Sequence, residues 1–221
     1  MVNEIFFGVY RFSNRLWTKN LAPEQKVYGE KLETIDGTEY RQWNPYKSKL
    51  AAAIQKGLKE SPFQSGTNVL YLGSAEGTTV SHLSDIVGEK GSIIGIDLSA
   101  RVMPKFLKLC EYRSNIVPIL ADANKPEFYS NDLKAISFQV LYQDVSQPNQ
   151  AEIFLKNSRF LEANGKGLLV IKAASIDSSA PASRIVNRQT KELKPSFNII
   201  QTVSLEPFEK GHAIIYCQKK D

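Results

Sequence analysis

Two cysteines in 221 residues, Cys110 and Cys217, each in an apolar setting, leave no material for a disulfide framework or a thiolate zinc site. A reducing compartment is expected, and no metal. No stretch approaches the roughly 18 to 20 consecutive apolar residues that a membrane-spanning helix needs. The opening MVNEIFFGVYRF also lacks the basic, then apolar, then small-residue layout of a signal peptide. The expectation is a cytoplasmic protein with no membrane partner. Internal repeats, low-complexity segments and charge runs are missing too. The basic residues behind the net charge of +5 are dispersed, which excludes a basic tail and is compatible with a polyanionic partner without requiring one.

What is present is globular: 42% apolar and 23% charged residues are enough to close a core. Residues 1–55 carry short apolar stretches (EIFFGVYRF, LWTKN) broken by Pro23, Gly29 and the pair Asp36-Gly37, and read as a small β-rich domain. Asp36-Gly37 between KLETI and TEYRQW predicts a hairpin, because both central positions of the favoured turn need positive φ. Asn44-Pro45 marks a boundary, and SKLAAAIQKGL reads as a helix leading into a second domain, residues 56–221.

There the pattern changes. NVLYL, SIIGID, IVPIL, FQVLYQD and GLLVIKA are continuous apolar runs separated by helical stretches, which predicts an α/β domain with a mostly parallel sheet buried on both faces. FNIIQTVSLEP and GHAIIYCQKK are joined by Phe208 to Lys210, too short for a helical crossover, and must pair antiparallel. A parallel sheet ending in such a hairpin is the order of Rossmann-like class I methyltransferases, which points to S-adenosylmethionine as cofactor.

The candidate site residues fall at strand ends, where open parallel sheets bind ligands. Gly73 and Gly77 follow the first strand and precede Thr78 and Thr79 at a helix start. Backbone there can approach a ligand closely, and helix-start amides and threonine hydroxyls can hold a carboxylate such as that of methionine. A plain strand-to-helix turn explains the glycines equally well. Asp97, followed by Leu98, ends the second strand where nucleotide-binding sheets place an acidic residue for ribose hydroxyls; helix capping is its structural alternative. Asp122 and Ala123 end the third strand, where Asp122 can accept from an adenine amino group and Ala123 can supply a backbone amide. Asp144, with Val145, Ser146 and Gln147, ends the fourth strand, and Lys172 ends the fifth. A carboxylate and a lysine at neighbouring strand ends face one crevice and serve as partners. A helix cap for Asp144 and a snorkelling side chain for Lys172 are the alternatives.

VLYLGSAEGTTVSHLSDIVG, NIVPILADA, DVSQPNQAEI, LEPFEKGHAII and, in the first third, WNPYKSKLAAAI together resemble fibrillarin and its archaeal homologues from about residue 5 to the C-terminus. The glycine- and arginine-rich extension of the eukaryotic proteins is absent, so an archaeal-type form is expected. The resemblance implies a ribose 2'-O-methyltransferase acting on rRNA and tRNA. Its implied partners are a box C/D guide RNA, a Nop-type scaffold protein and a kink-turn-binding subunit like a ribosomal protein. It further implies S-adenosylmethionine lying against Thr78, Thr79, Asp97, Leu98, Asp122, Ala123 and the Asp144–Gln147 loop, and a catalytic set of Lys49, Asp144, Lys172 and His212. The other histidine, His82, is expected to be structural. Three positions depart from the family pattern: Ser74-Ala75-Glu76 for alanine-alanine-serine, Asp97 for glutamate, and Gly211 for the aspartate before the histidine.

Overall fold

The short apolar stretches of the first third form an antiparallel sheet of five strands. In a computed structural model describing all residues, Met1–Asp221, these are β1 (Asn3–Phe6), β2 (Val9–Phe12), β3 (Arg15–Lys19), β4 (Leu32–Ile35) and β5 (Thr38–Trp43), in the order β1-β2-β3-β5-β4. The β4–β5 hairpin turns at Asp36 and Gly37, whose φ values of 48° and 77° are both positive, as the turn signal predicts. Helix α1 (Lys49–Gln55) follows, its N-terminus capped by Ser48, with Leu50 to Ile54 all buried.

The continuous apolar runs become β6 (Asn68–Leu72), β7 (Ser92–Asp97), β8 (Ile116–Leu120) and β9 (Phe138–Gln143), the first three with the predicted limits. Helices α2 (Thr78–Val87), α3 (Met103–Cys110) and the short α4 (Ser130–Leu133) connect them. After α5 (Gln150–Asn157) comes β10 (Leu161–Lys172), which starts earlier than the apolar pattern indicates. Its register against β9 shifts between Leu161 and Lys166, where Asn164 has φ +61°; such irregular polar pairing leaves no periodic signature. Helices α6 (Ala173–Ile176) and α7 (Ala182–Leu193) lead to β11 (Phe197–Ser204) and β12 (His212–Lys219). The closing connection is longer than Phe208–Lys210. Leu205 to Gly211 fold into a turn in which Leu205 accepts from the amides of Phe208 and Glu209.

The strand order is β11-β12-β10-β9-β6-β7-β8, parallel from β10 to β8 and antiparallel at β12 and β11, which matches the expected mostly parallel sheet with a closing hairpin. Alternate strand residues enter two cores on opposite faces: Val69 and Tyr71 one, Leu70 and Leu72 the other. The first core also takes in Val9, Leu16 and Trp43, so the small sheet is fastened to one face of the large one. No helix is long and apolar enough to cross a membrane.

A polar cluster without solvent contact seals that junction. Asp85 of α2 accepts from Thr18 Oγ1 (2.7 Å), the Leu21 amide (3.0 Å), Arg41 (2.9 Å) and Arg113 (2.6 Å). Arg41 also donates to Glu30. Burial alone would raise the Glu30 carboxyl, but the Arg41 guanidinium and the amides of Tyr28 and Val27 hold it below its ordinary pKa. His82, fully buried and stacked on Trp43, bonds Thr18 and Tyr28. Burial and then the positive charges of Arg41 and Arg113 push its pKa well below 6.5, so it stays neutral, in the structural role expected of it.

Candidate active site

Between β6 and β9 the strand order reverses, opening a crevice at the carboxyl ends of the parallel strands. A cleft of about 790 Å³ occupies it. Gly73, Asp97, Leu98, Ala123, the Asp144–Gln147 loop and Lys172 line it, nine of the residues singled out in the sequence.

Gly73 lets the first and fourth strand ends meet. Its φ is +82°, and a Cβ there would lie 2.7 Å from the Asp144 carbonyl oxygen, while the Asp144 amide bonds Leu72 O at 2.8 Å. Asp97 is no helix cap, since α3 begins only at Met103. Its carboxylate accepts from the amides of Ala75 (2.7 Å) and Ser99 (2.8 Å), which fixes it at the cleft wall. Leu98 presents an exposed apolar side chain beside it.

Five of the other candidates lie behind or beside the cleft. Gly77 has φ +89° and turns the chain into α2 against Leu109 and Phe106 of α3. Thr78 starts α2, and the Thr79 hydroxyl faces inward, 3.0 Å from Ser48 Oγ, so it is not turned to the cleft. Asp122 accepts from the Asn124 amide and from Gln147 Nε2 (3.2 Å), which steadies the loop after β9. His212 stands opposite Lys172 in the β10–β12 ladder, yet its Nδ1 lies 2.9 Å from Lys210 O and it bonds none of the other three catalytic candidates.

The remaining candidate, Lys49, joins Asp144 and Lys172 in one cluster. Lys49 Nζ donates to Asp144 Oδ2 at 3.0 Å from across the chain. Lys172 Nζ donates to Asp144 O (2.9 Å) and Ser146 Oγ (3.0 Å), and sits 2.9 Å from Asp144 Oδ1. That last approach is a charge contact without hydrogen-bond alignment, so Oδ1 keeps its accepting capacity. Asp144 is not a cap, because α5 begins at Gln150 with Asn149 in the N-cap position. Lys172, its side chain 15% exposed, does not snorkel. One carboxylate between two ammonium groups leaves a net charge of about +1, suited to drawing in an anionic chain.

Gln150 is not among the candidates drawn from the sequence. Beyond Leu169 the β9–β10 ladder ends, leaving the Lys172 backbone without a strand partner on that side. The buried Gln150 carboxamide replaces the strand: Oε1 accepts from Lys172 N (3.0 Å) and Nε2 donates to Lys172 O (3.4 Å). Gln143, next to Asp144, donates in turn to Gln150 O at 2.7 Å. The two glutamines tie together the strand ends that carry Asp144 and Lys172. The signal in the sequence was faint: a polar Gln143 closing an apolar run.

The sequence model of the fibrillarin family matches residues 2–221. The chain belongs to the fibrillarin family. Among its relatives, the fibrillarin-like rRNA/tRNA 2'-O-methyltransferase of Thermococcus onnurineus is 46% identical over 220 residues, covering 97% of this chain and 96% of the relative. Three solved structures of fibrillarins superpose throughout. The Methanococcus jannaschii fibrillarin, described as a pre-rRNA processing protein, is 43% identical with a TM-score of 0.94, covering 100% of this chain and 97% of that one. Aeropyrum pernix fibrillarin, solved with natively bound S-adenosyl-L-methionine, is 44% identical with a TM-score of 0.88 and coverages of 98% and 97%. A fibrillarin in complex with Nop5p is 38% identical, also at 0.88, with coverages of 98% and 100%.

Proposed function

We propose that this member of the fibrillarin family is an S-adenosylmethionine-dependent 2'-O-methyltransferase of rRNA and tRNA, directed by a box C/D guide RNA. The observation that carries the reading is the Lys49–Asp144–Lys172 cluster at the edge of a cleft of methyltransferase topology. The cleft fits the cofactor: Gly73 keeps the floor clear of a side chain, Asp97 offers a fixed carboxylate to ribose hydroxyls, and Leu98 and Ala123 offer apolar surface to a purine. Gly77, Thr78 and the backbone at Thr79 form the helix start for its carboxylate, and Asp122 and the Val145–Gln147 loop border the adenine side. When bound, S-adenosylmethionine supplies an electrophilic methyl group on a sulfonium.

The protein's own task is to present a weak nucleophile, the ribose 2'-hydroxyl. Lys172, pinned by three oxygens, donates to that hydroxyl and sets its direction, while Asp144 fixes both lysines. Asp144 Oδ1, buried 2.9 Å from Lys172 Nζ, is reached by the departing proton only through that ammonium, which hands one proton to the carboxylate as it takes up the proton of the hydroxyl. His212 steadies the strand end opposite Lys172. In this reading residues 1–55 form the accessory β-rich domain and 56–221 the methyltransferase domain, with Lys49 reaching from the first into the second.

A chain of this size with dispersed charge has little means of choosing a nucleotide, whereas base pairing to a guide supplies the address, as in other RNA-guided enzymes. The relative solved with Nop5p supports a Nop-type scaffold as partner of this chain. A kink-turn-binding subunit and a cytoplasmic location complete the proposal. The test is label transfer from S-adenosylmethionine in a reconstituted particle, to a guide-matched RNA and to its twin carrying 2'-deoxyribose at the addressed position. Label on the hydroxyl-bearing RNA alone is expected; equal labelling of both would place the acceptor elsewhere.

The glutamine clamp gives a second expectation. Gln150→Met, which keeps the volume and removes both bonds to Lys172, should lower kcat by between about 10- and 100-fold with KM for RNA and cofactor little changed, because the reacting geometry loosens while the binding surfaces stay. An unchanged kcat in a folded variant would remove Gln150 from the positioning machinery.

A further inference from the structure

We infer that the outward face of α7 is a docking surface for the phosphate backbone of RNA entering the cleft at Lys172, an inference that rests on the ribose-methylation reading. Helix α7 turns Ile185, Gln189 and Leu193 inward against the sheet. Arg184, Arg188 and Lys191 stand at i, i+4 and i+7, which at 3.6 residues per turn gathers them into one stripe on the opposite side. They line a groove of about 720 Å³ whose neutral walls include Ser179, Ser183 and Asn187. None of the three cations enters an ion pair of the fold. The carboxylate in the groove, Asp177, is turned to its own loop, accepting from the amide and hydroxyl of Ser179 at 2.9 and 2.6 Å.

Unpaired guanidinium groups beside small hydrogen-bonding side chains match phosphate oxygens. The groove contains no aromatic side chain, whereas aromatic anchors dominate the centres of protein interfaces. Its position fits the same partner. Asp177 follows α6, which follows Lys172 directly, so the groove opens beside the strand end that carries the lysine. A nucleotide held at Lys172 would have its flanking strand led onto the stripe, and each phosphate met there would release counterions.

The test compares the wild-type particle with one carrying Arg184→Ala, Arg188→Ala and Lys191→Ala together, measuring target-RNA retention on filters and methyl transfer across a range of salt concentrations. The variant is expected to show KM for RNA raised by roughly ten-fold, kcat at saturating RNA unchanged, and a slope of log affinity against log salt shallower by about 2 to 3. Unchanged KM and slope would overturn the inference. So would failure of the variant to assemble with the scaffold protein, which would assign the stripe to a protein partner. Filter retention needs no turnover: an α7-dependent slope in a wild-type particle that transfers no methyl would keep the docking surface and sink the methylation reading.

Discussion

Asp144→Asn is expected to lower methyl transfer in the assembled particle by about 10²- to 10⁴-fold, the range for removing a group that orients or moves a proton. The asparagine keeps the shape of the side chain and loses the charge that holds two lysines. Lys49 Nζ at 3.0 Å from Oδ2 and Lys172 Nζ at 2.9 Å from Oδ1 would then repel each other with nothing between them. Lys172→Met should cost a similar factor by removing the group that meets the hydroxyl. The double variant should be little worse than the poorer single one, because residues that act as a unit lose their effect together. Single-turnover rates in particles of verified composition decide the matter. Transfer within a few-fold of wild type for either single variant would show that the cluster is not the site of chemistry.

Asp85→Ala should destabilise the fold by about 3–5 kcal/mol, the usual consequence of removing one partner from a buried charge group. Asp85, Arg41 and Arg113 have no side-chain exposure, and deleting the carboxylate leaves two guanidinium groups in the interior without their shared partner. It also strips an acceptor from Thr18 and from the Leu21 amide, both on the small-sheet side of the junction. Against a total stability of about 5–15 kcal/mol this is a large fraction. Urea unfolding should show a lower midpoint with little change in slope. A loss under about 1 kcal/mol would mean that apolar contacts of Trp43, Leu16 and Val9 hold the two sheets together without the polar cluster.

The sheet was legible because its determinants are local. A run such as NVLYL or SIIGID announces a doubly buried strand, and the glycine or aspartate that ends it announces where backbone must approach a ligand. Asp97, Gly73 and Asp144 could therefore be chosen from single segments, and the structure sets them around one cleft. Side-chain direction was another matter. Thr79 turns its hydroxyl to Ser48, away from the cleft, because α1 happens to pack there, and His212 bonds its own turn.

By itself the sequence determined where most strands of the large sheet lie, that this sheet is parallel with a closing hairpin, and which polar residues stand at its strand ends, since hydrophobic period and turn chemistry act over a few neighbours. Only the tertiary structure decided that Lys49 meets Asp144 across 95 residues, that Gln150 stands in for a missing strand at Lys172, and that Asp85 is shared by Arg41 and Arg113. These are contacts between polar groups far apart in the chain. Each is made because burial leaves a charge or backbone group in need of a partner, and which partner arrives depends on how the layers pack.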